Sequence, residues 1–117
     1  MKGTEATFQE FIDETRPLPG FSAGRAEAEK DIAAGILKQR AFGKLVAWWE
    51  DVAQLLQERH GIGYEIVAGC VVEQEVATRA MGYNERMNLE IQARFGRDVV
   101  SATFREVERQ RKKHRHR

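Results

Sequence analysis

Leu45, Trp48, Trp49, Val52, Leu55 and Leu56 recur at offsets of three, four, seven, ten and eleven residues from the first. That spacing lines one face of an α-helix, and it is the strongest pattern in the chain. Arg59 and His60 place cations in its last turn, where the helix dipole favours them, and Gly61 ends it. The glycines on either side then set the frame. Gly35 and Gly43 bracket a seven-residue run, Ile36 to Phe42, too short for a typical helix and readable as a strand. Its apolar and polar residues alternate poorly, so a continued helix is the alternative. After Gly61, Ile62 to Val72 reads as a second strand. Both its faces turn apolar after Glu65, which suggests burial on both sides there, with Gly69 marking a bulge or a close backbone approach.

The remaining segments read as helices. Thr7 and Glu10 have capping-box spacing ahead of Phe8, Phe11 and Ile12; Pro17 and Pro19 stop that helix, and Pro19-Gly20 signals a turn. This arm could dock on the body or on a second copy. Ser22 is the expected N-cap of a helix through about Ala34, with Gly35 at the residue after its cap. Glu73 to Phe95 carries Val76, Ala80, Tyr83, Met87, Ile91 and Phe95 at helical spacing. Gly82 interrupts it, which calls for either a kink or a helix–helix crossing. Asp98 is the expected N-cap of a last helix with Val100, Thr103, Phe104 and Val107 on one face.

The expected class is therefore α+β and helix-dominated: about five helices with one or two short strands, a single βαβ unit if both strands form. A two-stranded parallel sheet alone is weak, so either helices cover both faces or dimerisation extends the sheet. The chain has 117 residues, a length suited to one domain. It divides as an N-terminal helical arm and Pro/Gly turn (1–21), a helix-rich core (22–108) and a basic tail (109–117).

Charge separates the last part from the rest. Residues 1–108 hold 13 Lys and Arg against 18 Asp and Glu. The last nine hold six basic groups, Arg109, Arg111, Lys112, Lys113, Arg115 and Arg117, and no acid. Clustered cations neutralise phosphates and release counterions. They also suit an acidic protein surface, or simply a solvated helix end. No aromatic follows Phe104, so stacking on single strands is not encoded there. The acidic body would repel a duplex laid across it, which confines any nucleic-acid contact to the tail.

Other constellations are thin. His114 and His116 flanked by Arg and Lys make a poor cation site, and no metal or other cofactor is expected. The single cysteine, Cys70, excludes an internal disulfide and any zinc site needing two thiolates from one chain. Cys70 ends the expected second strand, and with Tyr83 and Asn84 beside a break at Gly82 it could line a small pocket. The competing reading puts Cys70 in the core, Asn84 in water and the Tyr83 hydroxyl at the surface. Phosphate-loop, dinucleotide, zinc-protease, EF-hand and nucleophile-elbow motifs are all missing. No apolar run reaches the length of a membrane span, and Met1 to Asp13 lacks the apolar stretch of a secretory signal, so the cytoplasm is the expected location.

The functional expectation is a non-enzymatic interaction or accessory module. It self-associates, as a dimer, through apolar helical faces and meets nucleic acid or an acidic protein with its basic tail. The alternative is a small enzyme or ligand binder with a pocket at Cys70, Tyr83 and Asn84.

Overall fold

The structure, a computed structural model, describes residues 18–69 and 73–115. In chain order it forms α1 (Pro19–Ala33), β1 (Leu37–Ala41), α2 (Trp49–His60), β2 (Ile62–Ile66), α3 (Gln74–Phe95) and α4 (Val99–Arg115). The expected helix after Thr7 lies outside the described residues. Four helices are seen among those that are described, one fewer than expected.

The strand–helix–strand unit is present. β1 and β2 pair in parallel, with Leu37 beside Ile62, Gln39 beside Tyr64 and Ala41 beside Ile66. The run between Gly35 and Gly43 is thus a strand. One face of the sheet carries Leu37, Gln39, Ala41 and Ile62, all buried, with Tyr64 beside them. The core joins this face to Val52 and Leu56 of α2, Tyr83, Met87 and Ile91 of α3, and Val99 and Val107 of α4. Each large apolar side chain fully buried here contributes about 1.5–3 kcal/mol relative to exposure.

Several boundaries differ from expectation for local reasons. α1 starts at Pro19, three residues before the expected Ser22 cap, with Leu18 as N-cap. Pro19 opens the helix because its missing N–H would be unpaired in the first turn anyway. α2 starts at Trp49, so Leu45 and Trp48 of the apolar stripe precede it, and Trp48 is its N-cap. Their spacing is helical, but Leu45 to Trp48 form the loop and turn that bring the chain back from β1. β2 ends at Ile66 rather than Val72. The predicted burial on both faces fails there: Ile66 is 40% exposed and Gly69 is exposed. Gly69 is not a close-approach point, since nothing lies within 4 Å of where its Cβ would stand. Instead its carbonyl accepts the Gly43 N–H at 3.0 Å, tying together the segments that follow the two strands.

α3 runs unbroken through Gly82, which resolves the kink-or-crossing question in favour of a crossing. A Cβ on Gly82 would stand 2.1 Å from the Phe21 carbonyl oxygen, and one on Gly24 would stand 1.9 Å from that of Arg79. The backbones of α1 and α3 therefore meet directly. Gly20, Gly24 and Ala28 fall four residues apart along α1, so they share the face turned to α3.

Candidate interaction surface at the end of α4

α4 is built as expected at its start. The Asp98 carboxylate accepts the Ser101 N–H at 3.0 Å and the Ser101 hydroxyl at 2.8 Å, satisfying one orphan donor of the first turn. Val99, Thr103 and Val107 follow at four-residue steps, all buried, and the Thr103 hydroxyl donates to the Val99 carbonyl at 2.7 Å. Phe104 packs edge-on against Trp48 with ring centres 6.1 Å apart and tilts against Tyr64 at the same distance. Trp49 stacks on Tyr64 at 6.2 Å. The two tryptophans are thus half-buried packing residues.

Arg59 of α2 donates to Glu106 at 2.6 Å. That bond holds the Glu106 carboxyl below the usual carboxylate range and raises Arg59 further. Glu90 on α3 is lowered in the same way, chiefly by its hydrogen bond from Arg94.

Val107 is the last buried residue among those described. Residues 108 to 113 are all exposed, yet the helix continues to Arg115. The basic stretch is therefore no separate tail at its start. It is the outer two turns of α4, reaching roughly 12 Å beyond Val107 at 1.5 Å per residue. At about 100° per residue, Arg105, Arg109 and Lys112 align on the side of α4 opposite Val99, Thr103 and Val107. Lys113 lies next to this stripe. Arg111 turns instead toward α2, with its guanidinium 4.0 Å from Asp51. Lys112 reaches Glu108 of the same helix at 3.8 Å. Neither contact is tight, and exposed pairs of this kind contribute little. Arg109 and Lys113 have no carboxylate within ion-pair distance among the described residues. The side chains of His114 and Arg115, and all of His116 and Arg117, lie outside the description. Between α2 and α4, Asp51, Gln54, Leu55, Glu58, Val107 and Gln110 line a shallow groove of about 230 Å³.

Two members of the alternative pocket, Tyr83 and Asn84, are described, side by side on α3. Cys70 lies outside the described residues. Tyr83 is fully buried rather than presenting its hydroxyl at the surface; its OH donates to Asp31 at 2.6 Å. Burial, reinforced by the Asp31 carboxylate, pushes the Tyr83 phenol well above its ordinary range. Asn84 is half-buried. Its Oδ1 accepts the Arg40 N–H at 2.8 Å and its Nδ2 donates to the Arg40 carbonyl at 2.7 Å. Two larger open cavities flank the α1–α3 crossing. One of about 540 Å³ is lined by Phe21, Ser22, Arg25, Glu85 and Leu89, and one of about 370 Å³ by Leu18, Pro19, Gly20, Gln74, Glu75 and Thr78. Tyr83 and Asn84 line none of these three cavities.

Around Tyr83 lies a partly exposed layer of paired charge that the sequence does not announce. Lys38 and Arg40 leave β1 on the face opposite Leu37 and Gln39. The Arg40 guanidinium lies 4.0 Å from the centre of the Tyr83 ring and 2.6 Å from Glu27. Lys38 sits 3.3 Å from Glu65 and 3.9 Å from Asp31, and Arg79 lies 3.0 Å from Glu27. The Arg40 Nε is buried and has no hydrogen bond, although Glu65 stands 3.5 Å away. Three cations answer three carboxylates, and the layer joins α1, both strands and α3. Its sequence signal is the Lys-x-Arg alternation at residues 38–40, which bears on strand formation and says nothing of the partners. Among the described residues no group of three or more His, Cys, Asp or Glu could hold a metal ion, and no helix is long and apolar enough to cross a membrane.

No family model, curated protein or solved structure matches the chain.

Proposed function

We propose that this protein is a non-enzymatic interaction module that self-associates and grips nucleic-acid phosphates with the outer turns of α4. The observation that carries the reading is the exposed helical extension beyond Val107, with Arg109, Lys112 and Lys113 on its outward side. A helix fixes these cations relative to one another before any partner arrives, which lowers the ordering cost of binding. The acidic groove residues Asp51 and Glu58 line the neighbouring α2, so phosphates are favoured at the far end of α4 and disfavoured along the body.

The test is fluorescence anisotropy with a labelled mixed-sequence duplex over a salt series. Binding that weakens with salt, with a log–log slope of about −0.9 per phosphate contacted, is expected for the full chain. Removal of residues 109–117 should abolish it while the circular dichroism of the core persists. Equal binding by the truncated chain would refute the reading. Tighter capture by an acidic polypeptide than by the duplex would transfer the surface to acidic proteins.

A further inference from the structure

Self-association through apolar helical faces finds no continuous exposed stripe among the described residues. The exposed large apolar side chains, Ile36, Val46, Ile66, Leu89 and Phe95, are spread over the turn before β1, the loop before α2, β2 and α3. Charge is better ordered. Val52 and Leu56 bury one side of α2. At about 100° per residue, Glu50, Gln54, Gln57 and Glu58 fall on the opposite side, with Asp51 at its margin, and all five are exposed. This stripe holds three carboxylates and no cation. Arg59, the next residue, is turned to Glu106. Gln54 donates to Glu58 at 3.1 Å, and among the described residues Asp51 meets a cation only at 4.0 Å, in Arg111.

The basic stripe of α4, Arg105, Arg109 and Lys112, runs beside it. The ion pairs between the helices join Arg59 to Glu106 and Asp51 to Arg111. Residue number falls along α2 as it rises along α4, so the two helices are antiparallel. Asp51 is therefore level with the outer turns of α4, and Glu58 with Arg105. The stripes also match in length. Asp51 to Glu58 and Arg105 to Lys112 each span seven residues, roughly 10 Å at 1.5 Å per residue. Two strips of opposite charge thus lie side by side, both turned from the core that α2 and α4 share.

We infer that two copies of the chain associate face to face through α2 and α4, the basic stripe of each lying along the acidic stripe of the other. This deepens the self-association half of the proposed function and rests on it. A twofold axis parallel to the helices sets α2 of one copy over α4 of the other and leaves every residue at its own level. Lys112 then meets Asp51 of the second copy, Arg109 meets Gln54 and Arg105 meets Glu58, and the axis makes each contact twice. Exposed pairs contribute little singly, so the association is weak, reversible and sensitive to salt. An acidic partner would answer α4 alone and leave the α2 stripe unmet. A second copy answers both stripes, which is why it is the occupant chosen. The pairing also covers Arg109 and Lys112, the cations assigned above to phosphate. Duplex and second copy therefore compete, and self-association holds the phosphate-binding surface in reserve.

Sedimentation velocity at high micromolar concentration and low salt should give twice the chain mass of 13.4 kDa. The mass should return to that of one chain in about 0.5 M salt, where charges are screened beyond roughly 4 Å. A chain with Asp51→Lys and Glu58→Lys, and another with Arg109→Glu and Lys112→Glu, should each stay single at low salt. Mixed, they should pair, because each stripe again meets its opposite. All four positions are exposed, so both chains should keep the circular dichroism of the original. A carbodiimide, which joins amines to carboxylates in contact, should give a two-chain product linking Lys112 to Asp51, and added duplex should suppress it. A single-chain mass at low salt, failure of the two variant chains to pair on mixing, or a two-chain product unaffected by duplex would each overturn the inference. Duplex binding at nanomolar protein, where single chains prevail, reports on the α4 grip alone, so failure of that reading is told apart from failure of this one.

Discussion

The carboxamide of Asn84 takes the place of a neighbouring strand for Arg40, accepting its N–H at 2.8 Å and donating to its carbonyl at 2.7 Å. A side-chain amide carries the same donor and acceptor as a peptide unit, so one residue of α3 completes the ladder near the C-terminal end of β1. Gln39 adds a second tie to the same helix through Asn88 at 2.8 Å.

Replacing Asn84 with Ala leaves both Arg40 backbone groups without this partner. A loss of about 1–3 kcal/mol in unfolding free energy is expected in urea. Asn84→Asp should be worse than Ala, because its second oxygen would confront the Arg40 carbonyl with no proton to offer. An Asp variant at least as stable as the Ala variant would show that the paired geometry contributes nothing.

Gly24→Ala and Gly82→Ala each force a methyl group against a backbone carbonyl that has no room to yield. Overpacking of this kind costs about 1–3 kcal/mol or more, against the small gain in helix propensity that alanine brings. Gly69→Ala, where nothing lies within 4 Å, is the control. Thermal unfolding should separate the three, and a stabilised Gly82→Ala chain would refute the crossing.

The two tyrosines provide a pH readout. Burial raises both phenols in the folded chain, and for Tyr83 the Asp31 contact adds to it. The unfolded value is 10.0, so the folded state holds its protons more tightly. The resulting stability is fully present below pH 10 and is lost as pH climbs through the folded values. Tyrosinate absorbance at pH 10 should be lower in the native chain than in denaturant, where it reaches about half its final amplitude. Tyr83→Phe should make the alkaline decline in stability shallower. Normal titration of both rings in the native state would contradict the buried hydrogen bond.

Position along α4 should matter for duplex binding. Arg109→Glu and Lys112→Glu lie on the outward stripe and should each reduce the log–log salt slope by about 1. Arg111→Glu, which turns toward Asp51, should change it less. Equal effects at all three positions would mean that only total charge is sensed.

Much of the framework was readable because it rests on local physics. Gly35 and Gly61 allow the left-handed turns that end α1 and α2, with φ of 80° and 66°; Asp98 caps α4; and the apolar period of Val76 to Phe95 has one face. The errors arose where tertiary contact outweighed period. The Leu45–Trp48 end of the apolar stripe is loop and turn, and β2 stops at Ile66 although Val67, Val71 and Val72 continue the apolar run. The pairing of Asn84 with Arg40 joins residues 44 apart in sequence, and nothing near either one announces the other. Lys38 and Arg40 were equally silent, since a charge on a strand reads as solvent-facing until a helix is known to cover it.

The close approach of Gly24 to the Arg79 carbonyl and of Gly82 to the Phe21 carbonyl has a mechanical consequence. Where helices meet through long side chains, each can slide or rotate by small rotamer changes. Here peptide groups abut peptide groups, so α1 and α3 behave as a single two-bladed girder with no lubricating layer. Movement of the strand pair relative to α1 is then equally movement relative to α3, and it must break the Asn84 clasp on Arg40.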